Sequence, residues 1–303
     1  MAGMNSSDHQ PYSVFAKEVM NPEGPVSLKN GGWIVTSMDT GSLICFSEDG
    51  KSRSDVGYTE LPNGLALDLK GNVWVAEAAR PALLMISKDG TVTEINRGPE
   101  HLPFLLPNDL CFGPDGWLYL TDSGLDLATM RALTPSQLKE APFDGRLYRI
   151  HPLSGKCEVL DRGLRLTNGI AFGLSGQELY VAETLTGNIY RYRVGVWQRE
   201  IFGNVLEADP SDYDGVAGPD GIAFDNMGHL YVAVLVQGDI TVLDERGKVY
   251  RRIPVPGNRP TNLAFDRSGR PVFLVTDGAN NQLLLYRNEQ PGASLYYGEP
   301  IIQ

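Results

Sequence analysis

Histidine is scarce in this 303-residue chain. His9, His101, His151 and His229 stand far apart and form no HExxH pattern, which excludes a histidine-bound zinc hydrolase of that type. Cysteine is scarcer still. Cys45, Cys111 and Cys157 are widely spaced with no CxxC pair, so neither a zinc ribbon nor a dithiol redox motif is present, and a reduced, cytoplasmic setting is expected. No run approaches the roughly 18 apolar residues of a membrane span, and the opening MAGMNSSDHQPYSVF has neither a basic n-region nor an apolar h-region. A membrane partner is therefore not expected. Positive charge is also in deficit: 26 Lys and Arg face 37 Asp and Glu, a net charge of −11, and no basic stripe runs along the sequence. Nucleic acid is accordingly a poor partner. The stretch GLSGQ falls one residue short of GxSxG and lies at a turn between strands, so it is no nucleophile elbow. There is no P-loop or dinucleotide fingerprint.

What the chain does have is a repeat. A short polar cap, an alternating strand, an Asp/Gly turn and a second strand recur as NPEGPVSLKNGGWIVTS, LPNGLALDLKGNVWVAEA, LPNDLCFGPDGWLYLTDS, LTNGIAFGLSGQELYVAET, GPDGIAFDNMGHLYVAV and PTNLAFDRSGRPVFLVTD. Third strands follow, such as GRLYRIHP and GNIYRYRV, and most copies continue into a fourth. Four short antiparallel strands per copy, six copies and almost no helical periodicity predict an all-β, six-bladed propeller. The segment YSVFAKEV precedes the first copy as KCEVLDRG precedes the fourth, and is expected to close the ring as the outer strand of the last blade. Residues 1–10 are expected to be a flexible N-terminus and 11–303 a single propeller domain. One helix is predicted, TPSQLKEA at 134–141, with Thr134 as its cap and Pro135 in its first turn.

The caps align Glu23, Asn63, Asn108, Asn168, Asp220 and Asn262 as equivalent positions. Their spacing is uneven, 40 residues from Glu23 to Asn63 but 60 from Asn108 to Asn168, which indicates loop insertions between equal blades. The innermost strand of a propeller blade runs along the central channel, so its first residue stands at one mouth, and six such residues converge there. All six carry side-chain oxygens, the donors a hard cation prefers. Asn-Gly and Asp-Gly are also ordinary turn pairs, so each cap taken alone reads as a turn. Glu23 does not fit that reading. Glutamate is a poor turn former, and in the ring it sets a second carboxylate beside Asp220 in a confined channel, where the two repel unless a cation or proton intervenes.

The segments NPEGP, PNDLCFGPDGWLYLTD, LTNGIAF and GPDGIAFDNMGHLYVA, in that order, resemble the metal-bearing segments of the senescence marker protein, gluconolactonase and luciferin-regenerating enzyme family of six-bladed propellers. The likeness runs from about Glu23 to Tyr286. It implies that Glu23, Asn108, Asn168 and Asp220 hold or adjoin a divalent metal, most suitably Ca²⁺, with Mg²⁺, Mn²⁺ or Zn²⁺ as alternatives. It also implies the chemistry: opening of a lactone, with the metal polarising the carbonyl and Asp220 acting as general base or nucleophile. The implied partner is a small-molecule lactone or ester, and the protein a monomer or small homo-oligomer. Other readings are a noncatalytic ligand- or protein-binding propeller with a structural metal, or a family member recruited to another reaction in a biosynthetic pathway.

One position departs from the family pattern. Sugar-lactone hydrolases of the family commonly carry an arginine two residues before the asparagine matching Asn108. Here that residue is Leu106, in the run Phe104, Leu105, Leu106. An apolar wall in place of a cationic donor leaves substrate hydroxyls without partners, so a substrate less polar than a sugar lactone is expected. Phe104, Leu106, Asn108, Ser123 and Thr184 are the expected substrate-binding residues. Ser37, Glu77 and Asp277 are further strand ends expected at the pocket. Two long loops, 123–145 and 207–218, should lie on the metal side as specificity elements.

Overall fold

The computed structural model describes residues 11–298. Among them, 24 strands form six four-stranded antiparallel sheets, and five sheets use strands consecutive in the chain. In the sixth, the outer strand is Tyr12–Lys17, hydrogen-bonded to Gln282–Arg287, so the two ends of the chain close the ring. The expectation for residues 1–10 lies outside the described residues. No helix among the described residues is long and apolar enough to cross a membrane.

The core lies between blades, where alternating apolar residues of neighbouring sheets meet. At four interfaces an aromatic from the second strand of one blade meets, edge-on or nearly so, a phenylalanine from the inner strand of the next. The pairs are Trp74 with Phe112, Tyr119 with Phe172, Tyr180 with Phe224 and Tyr231 with Phe265, with ring centroids 5.7, 5.0, 4.9 and 5.0 Å apart. The repeated ring-to-ring contact fixes the rotation of each blade on its neighbour.

Helix α1 is Leu127–Ala132 and α2 is Pro135–Glu140, where the sequence pattern predicted only the second. Thr134 caps α2 and exchanges hydrogen bonds with Gln137 in a capping box. Asp126 caps α1 by accepting from the Thr129 N–H at 2.9 Å. A helix of six residues is too short to show a 3.6-residue period, so only its cap was available as a signal. The side chain of Lys139 donates to the Tyr213 carbonyl at 2.8 Å, which ties the 123–145 insertion to the 207–218 loop along one rim of the mouth.

Each inner strand carries the same irregularity at its start. In the first blade Pro22 pairs with Ser37 and Pro25 with Val35, so three residue steps on one strand face two on the other. The same β-bulge recurs in the other five blades. A bulge frees one residue from the ladder and re-aims its side chain, which is how a buried strand accommodates a polar first residue.

The bulge also corrects one alignment. In the sixth blade Pro260 pairs with Asp277 and Leu263 with Val275, so Thr261, not Asn262, occupies the position of Glu23. The ring is Glu23, Asn63, Asn108, Asn168, Asp220 and Thr261. Asn262 lies one step deeper, level with Gly24, Gly64, Asp109, Gly169 and Gly221. The adjacent Thr and Asn of PTNLAF are both polar, and only the ladder register decides which is the cap.

Candidate metal centre

The two ring asparagines of blades three and four are held in the same way. Asn108 Nδ2 donates to Ser123 Oγ at 3.1 Å, and Ser123 Oγ donates to the Thr167 carbonyl at 3.1 Å. Asn168 Nδ2 donates to Thr184 Oγ1 at 3.2 Å, and Thr184 Oγ1 donates to the Pro219 carbonyl at 2.8 Å. Each hydroxyl spends its one proton on a carbonyl of the next blade, so it can only accept from the amide. One N–H of each amide is thereby committed to the scaffold, the Asn168 side chain also hydrogen-bonds Asp220, and neither amide oxygen is used by a hydrogen bond among the described residues. Oriented amide oxygens of this kind are what a cation site requires of its supporting shell.

Two carboxylates complete the mouth. Asp220 is 6% exposed, and burial followed by the charges of Glu23 and Asp109 drives its pKa well above the usual carboxylate range. Glu23 is pushed up to about 8, chiefly by loss of water in the channel and also by Asp109. The positive charge that opposes both shifts is Arg259. Its guanidinium is anchored through Nη2 to Asn21 Oδ1 at 2.5 Å and to the Gly278 carbonyl at 3.0 Å. Two acids that strongly favour protonation when nothing binds them, faced by fixed amide oxygens, form a donor set suited to a divalent cation. Among the described residues no three His, Cys, Asp or Glu side chains gather as a metal cluster, so a cation here depends on the amides as well as the acids.

Below the ring, four glycines leave room for two polar side chains. A Cβ on Gly64 would land on Asp109 Oδ1 and one on Gly221 on Asn262 Oδ1. Asp109 accepts from the Leu110 N–H at 2.9 Å, faces Asn262 Nδ2 at 3.5 Å, and is pushed up to about 6 by burial. The next tier is small and largely apolar, and opens into a cavity of about 700 Å³ floored by residues 291–297. That floor is stitched down by the bonds Ala293 N–H to Phe224 carbonyl, 2.9 Å, and Leu69 N–H to Tyr297 carbonyl, 3.1 Å.

The structure brings Glu23, Asn108, Asn168 and Asp220 together at the mouth, and places the other expected residues around them. Ser123 and Thr184 are fully buried and touch the amides. Phe104 is buried edge-on against Tyr148, with centroids 4.9 Å apart. Leu106 is buried with Leu61 and Ala78, against which Met38, Leu127 and Met130 pack. Glu77 and Asp277 are spent on structure. Glu77 accepts from the Leu61 N–H at 2.9 Å and the Ala79 N–H at 2.8 Å, and Asp277 from Asn280 Nδ2 and Gln282 Nε2 at 2.8 and 2.9 Å. Ser37 Oγ donates to the Met20 carbonyl at 3.0 Å. Arg259 and Asp109 were not singled out from sequence. Arg259 sits two residues before the cap of its blade, the position Leu106 takes in the third, and the repeat alignment carries that signal once Thr261 is the cap.

The sequence matches a family model described as SMP-30/Gluconolactonase/LRE-like region over residues 21–276, a span that includes all four mouth residues. It is 27% identical over 288 residues to the gluconolactonase of Zymomonas mobilis, covering 87% of this chain and 78% of that protein. It is 25% identical over 308 residues to the diisopropyl-fluorophosphatase of Loligo vulgaris, covering 94% of each. The fold superposes on that of a calcium-binding protein, regucalcin, from Agrobacterium tumefaciens with a TM-score of 0.74 at 18% identity, covering 97% of this chain and 98% of that one.

Proposed function

The chain belongs to the SMP-30/gluconolactonase/LRE-like family, and from that premise we propose that it is a metal-dependent hydrolase that opens a lactone or similar ester. The observation that carries the reading is the pair of anchored amides, Asn108 and Asn168, at the same ring level as the two acids Glu23 and Asp220, whose pKa values burial raises. These four side chains would hold the cation. Ca²⁺ suits them best because every donor is a hard oxygen. When bound, such an ion supplies Lewis-acid polarisation of an ester carbonyl and charge that keeps its ligating acids ionised.

The protein's own groups account for the rest. Ionised Asp220 takes a proton from a water whose oxygen adds to the carbonyl carbon; the ring C–O bond then breaks, and the departing alkoxide takes up that proton to leave a hydroxy acid. Alternatively Asp220 adds to that carbon itself, the ring C–O bond breaks to give an acyl-aspartyl anhydride and an alkoxide that is protonated by water, and a second water then cleaves the anhydride to release the hydroxy acid and restore Asp220. Similarity to a protein named gluconolactonase and to one named diisopropyl-fluorophosphatase supports a hydrolytic role.

The substrate is read as less polar than a sugar lactone. Leu61, Ala78 and Leu106, with Met38, Leu127 and Met130, give the wall beside Asn108 an apolar character and no side-chain donor for ring hydroxyls. The test is a hydrolysis panel run on protein of known metal content, comparing gluconolactone with aliphatic and aromatic lactones. Turnover of the apolar lactones with bound metal is expected. Bound metal with no turnover of any ester would replace this reading with a noncatalytic binding propeller.

A further inference from the structure

On the face opposite the mouth, four cations gather at one place. Turns from three successive blades place Lys29 (first blade), Lys70 and Lys88 (second) and Arg267 (sixth) around a hollow of about 230 Å³. In a chain of net charge −11 these four cations are left without carboxylate partners. None of their side chains forms an ion pair or a hydrogen bond among the described residues, and the one bond from Arg267 is its backbone N–H to Ser27 Oγ at 2.9 Å.

Asp68 also lines the hollow, but it and the nearby acids are already committed. Asp68 accepts from the Asn72 N–H, from Asn72 Nδ2 and from Trp74 Nε1 at 2.9, 2.8 and 3.2 Å. Asp266 and Glu48 are both taken by Arg270, each at 2.6 Å. Asp89 accepts from Ser87 Oγ and from the Thr91 N–H. Arg267 is half-buried, and its guanidinium lies 3.9 Å over the Tyr297 ring, where burial lowers its pKa. A stacked, partly desolvated guanidinium with its forked donors unused is arranged to receive an anion. Leu28, Leu67 and Leu69 form the apolar side of the same hollow, and Lys29, Leu67 and Arg267 also line the distal end of the channel cavity.

We propose that Lys29, Lys70, Lys88 and Arg267 form an anion-binding site, separate from the metal mouth, for a small organic molecule bearing a phosphate or comparable doubly charged group. The group meets Arg267 and the lysines, and the organic part rests on the leucines. The site is local and concave in a chain of net charge −11, which favours a compact ligand over a nucleic acid or an anionic membrane that would meet the whole field.

Pyrophosphate is the probe, titrated calorimetrically at low ionic strength. Saturable binding is expected, weakening as salt rises. Arg267→Gln and Lys88→Gln should each weaken it about tenfold or more. Arg267→Lys, which keeps the charge but loses the fork, should fall between wild type and Arg267→Gln. Lys248→Gln, an equal loss of charge at a residue that does not line the hollow, should leave affinity within about twofold. Absence of saturable binding, equal losses in Arg267→Gln and Lys248→Gln, or binding to phosphatidylserine vesicles or RNA but not to pyrophosphate would overturn the proposal.

Discussion

Asn168 Nδ2 donates to Thr184 Oγ1 at 3.2 Å, and Thr184 passes its own proton to the next blade at Pro219. The relationship is repeated by Asn108 and Ser123, so an amide at the mouth is oriented by the strand that follows it and by the blade beyond. Thr184→Val removes that anchor while keeping shape. It strands a buried amide N–H and a buried carbonyl, at a cost of about 1–3 kcal/mol of folding stability. It also frees Asn168 to turn, and Ca²⁺ affinity should fall about 10–100-fold. Denaturant unfolding and calcium titration calorimetry check the two effects separately.

Arg259 faces the same carboxylates that a cation would use, and competes with it. Arg259→Met should therefore tighten Ca²⁺ binding, in contrast to substitutions at the four ligands. In the metal-free protein it should raise the Glu23 pKa above its present value of about 8. Competition titration against a chromophoric chelator reads the first effect, and carboxyl NMR titration the second.

The pH dependence of the metal-free protein has a definite sign. Glu23 and Asp220 have folded-state pKa values raised above their unfolded values, so the native state holds more protons between the two. Their contribution is fully present below the unfolded carboxylate range, near pH 4, and is lost as pH rises through about 8 for Glu23. Chelated protein should lose stability from pH 5 to 8, by up to about 1.4 kcal/mol per pH unit for each acid still protonated. Added Ca²⁺ should flatten or reverse that slope, because it binds the ionised pair. Urea unfolding across the pH series, with and without chelator, gives the comparison.

Much of the fold was legible because it is periodic. Six polar caps, each followed by an Asp/Gly turn, located the inner strands, and the likeness of Tyr12–Lys17 to an outer strand foretold the closure of the ring. The register within a cap was not legible. Thr261 and Asn262 differ by one backbone step at a bulge, and both are polar, so sequence alone aligned the wrong one. Helix α1, Leu127–Ala132, is as short as α2 but lacks the Thr-Pro start and capping-box glutamine that marked α2, so its single cap, Asp126, did not stand out. At the mouth, Glu23 and Asp220 stood out as charges in a repeat of amides. The roles of Ser123 and Thr184 as amide anchors depend on which proton each hydroxyl gives away, a matter of three-dimensional partners. The basic hollow was invisible for a similar reason: Lys29, Lys70, Lys88 and Arg267 are scattered in the chain and meet only because their blades are neighbours in a closed ring.

Glu23→Gln and Asp220→Asn each remove one charge from the mouth without changing its size. Both should lower divalent-metal content on elemental analysis, and Asp220→Asn should also abolish turnover in protein forced to hold metal at high concentration. The second effect separates the chemical role of Asp220 from its part in holding the ion.

The most direct test is hydrolysis of an aromatic lactone by protein stripped with chelator, shown metal-free by elemental analysis, and then titrated with Ca²⁺. Turnover should vanish on stripping and return with about one equivalent of the ion, in parallel with its binding to Glu23, Asn108, Asn168 and Asp220. Undiminished turnover by the metal-free protein would contradict a metal-dependent site at the channel mouth.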